Sequence, residues 1–302
     1  MQRSCELEEI SAEDYVSYDG IMRATIHVTD ACNLSCSYCG FDSGAGAERD
    51  SMPLGKIREV IRAIARADVL RLDLSGGEAL VRQDIFDIIQ TAVDQGMSLG
   101  ILTNGTLITP ETAKELSHYP VHSVKVSLDG MEEENDRNRG AGTFRKALSG
   151  LENLIAHTDI RTKVLFTLTK NNVEDAAEVA KRLSDLGVWR FVVRPCDTMG
   201  RSEGSFVPRE VDIWTLYRKL LVASEGLGEG FIEWYFTNPY PHHPVWANNP
   251  YVLIEASGRH FTVLADGDVM IDYCNAGSKV GNVFTDDING MIQTIESAIE
   301  IE

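Results

Sequence analysis

Three cysteines lie close together in the loop Ala31–Gly40 (ACNLSCSYCG), directly after an apolar, β-rich stretch. Thiolates are the usual ligands of iron–sulfur clusters, and a cubane cluster normally takes four of them. A loop with three thiolates therefore predicts a cluster in which one iron is left open to an outside ligand. Such an open iron favours chemistry over simple electron storage.

The spacing Cys-x3-Cys-x2-Cys, with Tyr38 directly before the last cysteine, resembles the signature of the radical S-adenosylmethionine (radical SAM) enzymes. The resemblance implies that Cys32, Cys36 and Cys39 hold one [4Fe–4S] cluster, whose open iron chelates the amino and carboxylate groups of SAM. It also implies that an electron from a flavodoxin- or ferredoxin-type donor cleaves SAM to a 5′-deoxyadenosyl radical. Tyr38 counts among the implied cofactor-binding residues.

Composition and charge exclude several other classes. The chain has 302 residues, 43% of them hydrophobic, which is ordinary for a globular core. A formal charge of −18 argues against nucleic acid as a partner and would attract a cationic substrate. There is no apolar run of about 18 residues and no signal peptide at the start, so we expect a cytoplasmic protein with no membrane partner.

Strand-like and helix-like segments alternate from residue 22 onward. Six such β/α units predict a parallel sheet with helices outside, either as a partial barrel or as an open doubly wound sheet. The radical SAM resemblance favours the partial (β/α)6 TIM-like barrel, with the cysteine loop after the first strand. The predicted strands are 22–28, 69–74, 99–102, 121–128, 163–168 and 189–193, and the predicted helices are 53–64, 85–93, a segment after 110, 144–155, 173–186 and 211–224.

The tail predicts a hairpin of strands 259–264 and 269–273, followed by a helix over 287–299. It resembles a degenerate SPASM/twitch extension, in which a cysteine such as Cys274 starts an auxiliary cluster site. No second cysteine lies nearby, so we expect a small α+β twitch-like extension without a complete auxiliary cluster. The expected divisions are an N-terminal segment 1–20, the barrel 21–228 and the extension 229–302.

Ligands of parallel β/α architectures meet the carboxyl ends of the strands, so the residues that follow each strand are the candidate site residues. Gly76, Gly77 and Glu78 follow the second strand and resemble the family's Gly-Gly-Glu motif, which holds the SAM amino group. Glycines let backbone approach a ligand, and Glu78 can accept hydrogen bonds from an ammonium. A plain strand-to-helix connection is the alternative.

Similar positions follow the next two strands. Thr103 and Asn104 resemble family segments that contact SAM or substrate, as do Ser127 and Asp129, whose oxygens could bond SAM or substrate hydroxyls. Arg139 resembles a family arginine that pairs with the SAM carboxylate through a bidentate fork. Ordinary turns explain each of these residues about as well.

Cys196 follows the sixth predicted strand, on the same rim as the cysteine loop. A thiol can return a hydrogen atom to a carbon radical, which would make the net reaction an epimerisation. The alternative is a small buried hydrophobe, the usual state of a free cysteine. Cys274 is the second candidate hydrogen donor. Arg194, which also follows the sixth predicted strand, is a further candidate site residue. The aromatic segment that contains His242 and His243 is either a surface on which substrate stacks or a structural loop.

These residues predict a radical SAM oxidoreductase or epimerase. The expected substrate is a small molecule such as a sugar or an aminoglycoside-like cation, because the roughly 20 residues before the first strand are too few for the peptide-recognition domain that many peptide maturases carry. A ribosomal-peptide maturase is the alternative within the family. The non-enzymatic alternatives are an iron–sulfur electron carrier or a zinc module, which normally need four protein ligands.

Overall fold

The structure is a computed structural model that describes residues 20–45, 52–202, 204–228, 230–236, 252–254, 260–271 and 278–299. No helix within these residues has both the length and the apolar character to cross a membrane. The strands are β1 (Arg23–His27), β2 (Arg71–Ser75), β3 (Ser98–Thr103), β4 (Val121–Ser127), β5 (Arg161–Leu168), β6 (Arg190–Pro195), β7 (Ile232–Phe236), β8 (Val252–Ile254), β9 (His260–Val263), β10 (Asp268–Ile271) and β11 (Ser278–Asn282).

All of these strands belong to one sheet with the order β11-β10-β9-β1-β2-β3-β4-β5-β6-β7-β8. Strands β1 to β8 run parallel to their sheet neighbours, and β9 joins the outer side of β1 in parallel. Strands β10 and β11 continue that edge in antiparallel pairs. The fold is mixed α/β with a parallel sheet of the partial-barrel type and a C-terminal region of antiparallel strands, as predicted.

Helices separate most of the parallel strands. They are α1 (Leu54–Arg66), α2 (Ile85–Asp94), α3 (Pro110–Leu116), α4 (Glu132–Arg139), α5 (Thr143–His157), α6 (Ala176–Leu186), α7 (Glu210–Ser224) and α8 (Ile288–Ile299). In α1, Pro53 stands at the N-cap, and Ile57, Val60, Ile61 and Ile64 form the buried face. This spacing of apolar residues at three and four positions is what packs a helix onto a sheet.

The two faces of the sheet differ in chemistry. In β5, Val164, Phe166 and Leu168 are buried in the apolar core that the helices share. Because successive side chains of a strand point to opposite faces, Lys163 and Thr167 lie on the other face, inside the barrel. The barrel interior is therefore polar, although both faces of the sheet are largely buried.

A buried ion network occupies the middle of that interior. Arg71 Nε donates to Asp73 Oδ1 at 2.9 Å, and Lys125 Nζ donates to Asp73 Oδ2 at 2.7 Å. Burial by itself would raise the pKa of Asp73, but Arg71, Lys125 and Arg23 outweigh it and hold that pKa well below its usual range. Arg71 Nη2 also donates to Ser123 Oγ at 2.8 Å. The carboxylate of Asp73 is thus bonded to two cations within the barrel.

Three features of the fold were not predicted. Helix α4 is almost wholly polar, so it carries no apolar period from which a helix could be recognised. The sixth strand does not end the parallel series, because β7, within the aromatic segment, pairs with β6 and is followed by β8. Strand β11 extends the predicted hairpin β9–β10. The divisions at residues 20 and 228 remain predictions.

Candidate active site

The cysteine loop follows β1 and is held by backbone hydrogen bonds rather than by regular structure. Cys32 N donates to Gly44 O at 3.1 Å, next to an isolated parallel bridge between Ala31 and Gly44. Ser37 N donates to Asn138 O at 2.8 Å, which ties the loop to α4. The loop is therefore anchored at its beginning and in its middle.

The Gly76-Gly77-Glu78 turn after β2 packs against the same loop. Gly77 N donates to Thr29 O at 2.7 Å, and Glu78 N donates to Ala31 O at 2.9 Å. A Cβ on Gly77 would lie 2.4 Å from Ala31 O, and Gly76 has a φ of +138°. Only glycine tolerates both the close approach and the backbone angle. The two glycines bring the end of β2 against the beginning of the cysteine loop, and both line the cavity described below.

The segment after β6 also clamps the cysteine loop, a contact that the sequence analysis missed. Arg201 Nε donates to Cys36 O at 3.0 Å and Nη2 to Ser43 O at 2.6 Å, and Arg201 N donates to Cys39 O at 2.9 Å. Gly200 has a φ of +55°, and a Cβ there would lie 2.5 Å from Cys39 O. The only available sequence signal was a glycine and an arginine shortly after Cys196, which is too common to interpret.

A cavity of about 220 Å³ opens at the carboxyl ends of the strands. Its walls come from the cysteine loop, from the carboxyl-terminal residues of β2 to β6, from the segments that follow β2, β3 and β6, and from Arg139. All three cysteines of the motif line it, which places the proposed cluster ligands around one space. The candidate residues that line it are Cys32, Cys36, Tyr38, Cys39, Gly76, Gly77, Thr103, Asn104, Ser127, Arg139, Arg194 and Cys196.

Glu78 is buried behind this wall and links the ends of two strands. Its Oε1 accepts hydrogen bonds from Thr103 Oγ1 at 2.8 Å and Leu80 N at 3.1 Å, and its Oε2 accepts one from Asn104 N at 2.6 Å. Burial raises the pKa of Glu78, and these three donors offset part of that rise. Since a carboxylate oxygen can accept two hydrogen bonds, Oε2 keeps one acceptor position.

Asn104 connects β3 to the cysteine loop. Its Nδ2 donates to Asn33 Oδ1 at 2.8 Å and lies 3.9 Å from Cys32 Sγ. Asn33 Nδ2 in turn donates to Thr106 Oγ1 at 2.8 Å. These amide and hydroxyl groups tie the segment around Cys32 to the end of β3.

Arg139, at the end of α4, is held by Asp129. Arg139 Nε and the Tyr38 hydroxyl both donate to Asp129 Oδ2, while Thr167 N donates to Oδ1 at 2.6 Å. Asp129 is completely buried, so in this arrangement it orients Arg139 and Tyr38. Arg139 itself lines the cavity. Ser127, at the end of β4, lines the cavity beside it.

Cys196 forms part of the cavity wall on the β6 side. Its side chain is 5% exposed, and its Sγ lies 3.0 Å from Ser202 Oγ. Burial raises the pKa of the Cys196 thiol, so that it stays protonated at neutral pH. Arg194 Nη2 donates to Asp197 Oδ2 at 3.2 Å. The other predictions that involve Cys274, His242 and His243 lie outside the described residues.

Comparison with known proteins identifies the family. Residues 26–193, more than half of the chain, match the family model of the radical SAM superfamily. The chain belongs to the radical SAM superfamily. Members of this family use a [4Fe–4S] cluster and SAM.

Curated relatives include enzymes of two kinds by name. This radical SAM chain is 34% identical over 173 residues to mycofactocin maturase MftC of Mycobacterium tuberculosis, covering 56% of this chain and 44% of that protein. It is 32% identical over 185 residues to the AdoMet-dependent heme synthase of Methanosarcina barkeri, covering 59% of this chain and 51% of that protein. The chain thus spans about half the length of the curated relatives it matches.

Solved structures show the same fold. Streptococcus suis SuiB bound to S-adenosylmethionine superimposes with a TM-score of 0.72 at 16% identity, covering 92% of this chain and 68% of that one. SuiB bound to precursor peptide SuiA superimposes with a TM-score of 0.74 at 17% identity, covering 93% of this chain and 66% of that one. At these identities the likeness shows the fold.

The cavity residues fit a [4Fe–4S] cluster. No three His, Cys, Asp or Glu side chains of the described residues converge on a single metal ion. A cubane does not require such convergence, because each thiolate binds a different iron. Burial raises the pKa of Cys32 to about 11 and also raises that of Cys36. Bound iron favours the deprotonated thiolate, so cluster binding and loss of these protons are coupled.

Proposed function

We propose that this radical SAM enzyme abstracts a hydrogen atom from a carbon of its substrate and returns one from Cys196, so that the carbon is epimerised. The observation that carries the proposal is the position of the Cys196 thiol in the same cavity wall as the three cluster cysteines. Its raised pKa keeps it in the S–H form, which is the form that can give a hydrogen atom. The other residues of the site bind the cluster and SAM or hold those binding residues in position.

In this proposal, Cys32, Cys36 and Cys39 hold the cluster, and several cavity residues hold SAM. The Nη groups of Arg139 pair with the SAM carboxylate, Ser127 and the Gly76-Gly77 backbone contact the rest of the cofactor, and the remaining acceptor position of Glu78 Oε2 receives the amino group directly or through water. When bound, the cluster and SAM supply a 5′-deoxyadenosyl radical that removes the substrate hydrogen. Asp129 keeps Arg139 in place.

The return step balances as follows. The S–H bond of Cys196 breaks, its hydrogen atom forms a C–H bond on the opposite face of the substrate carbon, and Cys196 is left as a thiyl radical. One electron from a flavodoxin- or ferredoxin-type donor and one proton restore the thiol. Ser202 Oγ, at 3.0 Å from Sγ, is placed to deliver that proton.

A peptide is the substrate class that the comparisons favour. The structure of SuiB bound to precursor peptide SuiA supports it by name, and mycofactocin maturase MftC is by name a maturation enzyme. A small cationic molecule is the second candidate, supported by the formal charge of −18. The AdoMet-dependent heme synthase shows by name that this family includes relatives of other kinds.

The experiment uses the iron-loaded enzyme, SAM and a reductant in D₂O. Precursor peptides encoded beside the gene and a set of aminoglycosides are screened for stimulation of 5′-deoxyadenosine release. With the stimulating compound, wild type should form an epimer with one deuterium per turnover. Cys196→Ala should lose epimer formation while 5′-deoxyadenosine release continues, because the variant has no S–H bond from which a hydrogen atom can return to the substrate carbon.

Epimer formation and deuterium incorporation that are unchanged in Cys196→Ala would show that Cys196 is not the donor. Cys196→Ser is the matched control for volume. It keeps a hydroxyl in the same place, but its O–H bond is too strong to give up a hydrogen atom, so it should fail like the alanine variant. A serine variant that still epimerises would also contradict the proposal.

A further inference from the structure

Ser43 lies in the wall of the active-site cavity and has a buried hydroxyl. The side chain is 2% exposed, and its Oγ has no hydrogen-bond partner. Ser43 lines the same cavity as the three motif cysteines. Burying a hydroxyl without a partner costs free energy, so such a group in a cavity wall indicates a partner that occupies the cavity.

The backbone places Ser43 on the side of Cys32. Ala31 and Gly44 form a parallel bridge, and Cys32 N donates to Gly44 O at 3.1 Å. In two paired extended segments, successive side chains point to opposite faces. The residues directly before and after Ala31 and Gly44 therefore point to the same face, opposite to that of Ala31 and Gly44. Cys32 and Ser43 are such residues, and both reach the cavity.

The backbone of Ser43 is also held by Arg201. Its carbonyl oxygen accepts a hydrogen bond from Arg201 Nη2 at 2.6 Å, and the same guanidinium donates to Cys36 O at 3.0 Å. Arg201 therefore holds the backbone of Ser43 and that of a cluster cysteine in one relative position. A hydroxyl held in this way is a preorganised hydrogen-bond donor.

We propose that the Ser43 hydroxyl donates a hydrogen bond to a sulfur atom of the cluster bound by Cys32, Cys36 and Cys39, and thereby raises its reduction potential. A hydrogen bond to a cluster sulfur stabilises the reduced form, which carries the extra negative charge. The inference concerns the cluster alone and holds for any substrate. Its failure therefore leaves the role proposed for Cys196 intact.

The test measures the reduced and oxidised cluster by electron paramagnetic resonance at a fixed solution potential, without SAM or substrate. In Ser43→Ala the ratio of reduced to oxidised cluster should fall about tenfold, which corresponds to about 59 mV for one electron. Ser43→Thr keeps the hydroxyl and should stay near wild type. Ser35→Ala is the matched control, because Ser35 belongs to the same loop but has an exposed side chain outside the cavity wall.

A wild-type ratio in Ser43→Ala with full iron content overturns the proposal, as does an equal fall in Ser35→Ala. If Ser43→Ala takes up no iron, the same titration is made on Ser43→Gly, which also lacks the hydroxyl. If neither variant binds four irons per chain, the side chain acts in shaping the loop and the proposal is rejected.

Discussion

In the middle of the barrel, Asp73, Arg71 and Lys125 are bonded to one another at 2.7 to 2.9 Å. At the carboxyl end of the same sheet, Cys36, Cys39, Arg139 and Ser43 line a cavity. Both regions are polar and largely buried. The difference is that Asp73, Arg71 and Lys125 bond to one another within the chain, whereas Cys36, Cys39, Arg139 and Ser43 line a space into which a ligand could fit.

This contrast separates structural from functional polar groups. Around the cavity, the residues that do have partners within the chain serve to position their neighbours: Asp129 holds Arg139, Arg201 holds the cysteine loop, and Glu78 joins the ends of β2 and β3. Preorganisation of this kind keeps a site in its working geometry before the ligand arrives.

The largest expected effect is on iron binding. The variant with Cys32, Cys36 and Cys39 all replaced by alanine should bind no iron, against four irons per wild-type chain, because it loses every thiolate of the loop. Cys196→Ala is the control and should bind iron as wild type does, since its thiol is bonded to Ser202 instead. Colorimetric iron analysis after anaerobic reconstitution checks this, and four irons retained in the triple variant would refute the assignment.

The next effect is on folding. Asp73→Asn should lower the free energy of unfolding by about 3–5 kcal/mol, because it leaves buried cations without their carboxylate. The Asp87→Asn control should change it by no more than about 0.5 kcal/mol, since the Asp87 side chain is 62% exposed and its pair with Arg58 spans 3.7 Å. Urea unfolding measures both. If Asp73→Asn lowered the free energy of unfolding by less than about 1 kcal/mol, the ion network of the barrel interior would not have the structural role assigned to it.

His27 is the last residue of β1, and its side chain is buried. Burial, followed by repulsion from His260, lowers the pKa of His27 from 6.5 to about 4. Between these pH values the unfolded chain binds a proton that the folded chain does not, so acidification through this window should cost about 3 kcal/mol of stability. His27→Gln should lose this part of the pH dependence, and the exposed His118→Gln should keep it. Identical stability profiles for wild type and His27→Gln would contradict the burial effect.

The smallest effect concerns the clamp on the cysteine loop. In Arg201→Ala, protection of the Cys39 and Asp42 amides from hydrogen exchange should fall about tenfold, or about 1.4 kcal/mol, because the loop loses its side-chain hydrogen bonds. Arg145→Ala, which breaks an exposed pair with Glu132, should leave those amides unchanged. Equal protection in wild type and Arg201→Ala would mean that the backbone alone holds the loop.

The sequence predicted most of the strands and helices because their apolar residues recur at regular spacing and turn-forming residues separate them. It also predicted that the residues after β1 to β6 share one rim, because parallel strands bring their carboxyl ends together. Helix α4 was missed because its sequence, EEENDRNR, has no apolar face and is held by Asn138 and Arg139 contacts made only in the fold.

The sequence predicted which residues could belong to the site, but not which hydrogen bonds would connect them. The motif predicted which cysteines would hold the cluster, and this assignment remains a prediction. The partners of Asp129 could not be predicted, because they come from three elements that meet only in the folded chain. Arg201 and Ser43 carry no motif, and their roles follow from hydrogen bonds and burial. Substrate class is the least readable property, since the small-molecule expectation depended on overall charge and on length rather than on any residue of the site.

The most direct test of the contrast is reductive SAM cleavage by three iron-reconstituted proteins, followed as 5′-deoxyadenosine. Wild type should cleave SAM, and the triple alanine variant should not, although it folds. Ser123→Ala, which removes a hydroxyl that Arg71 Nη2 bonds at 2.8 Å in the interior, should cleave SAM at the wild-type rate. Cleavage by the triple variant, or its loss in a folded Ser123→Ala protein, would contradict the assignment of function to the cavity and of structure to the interior.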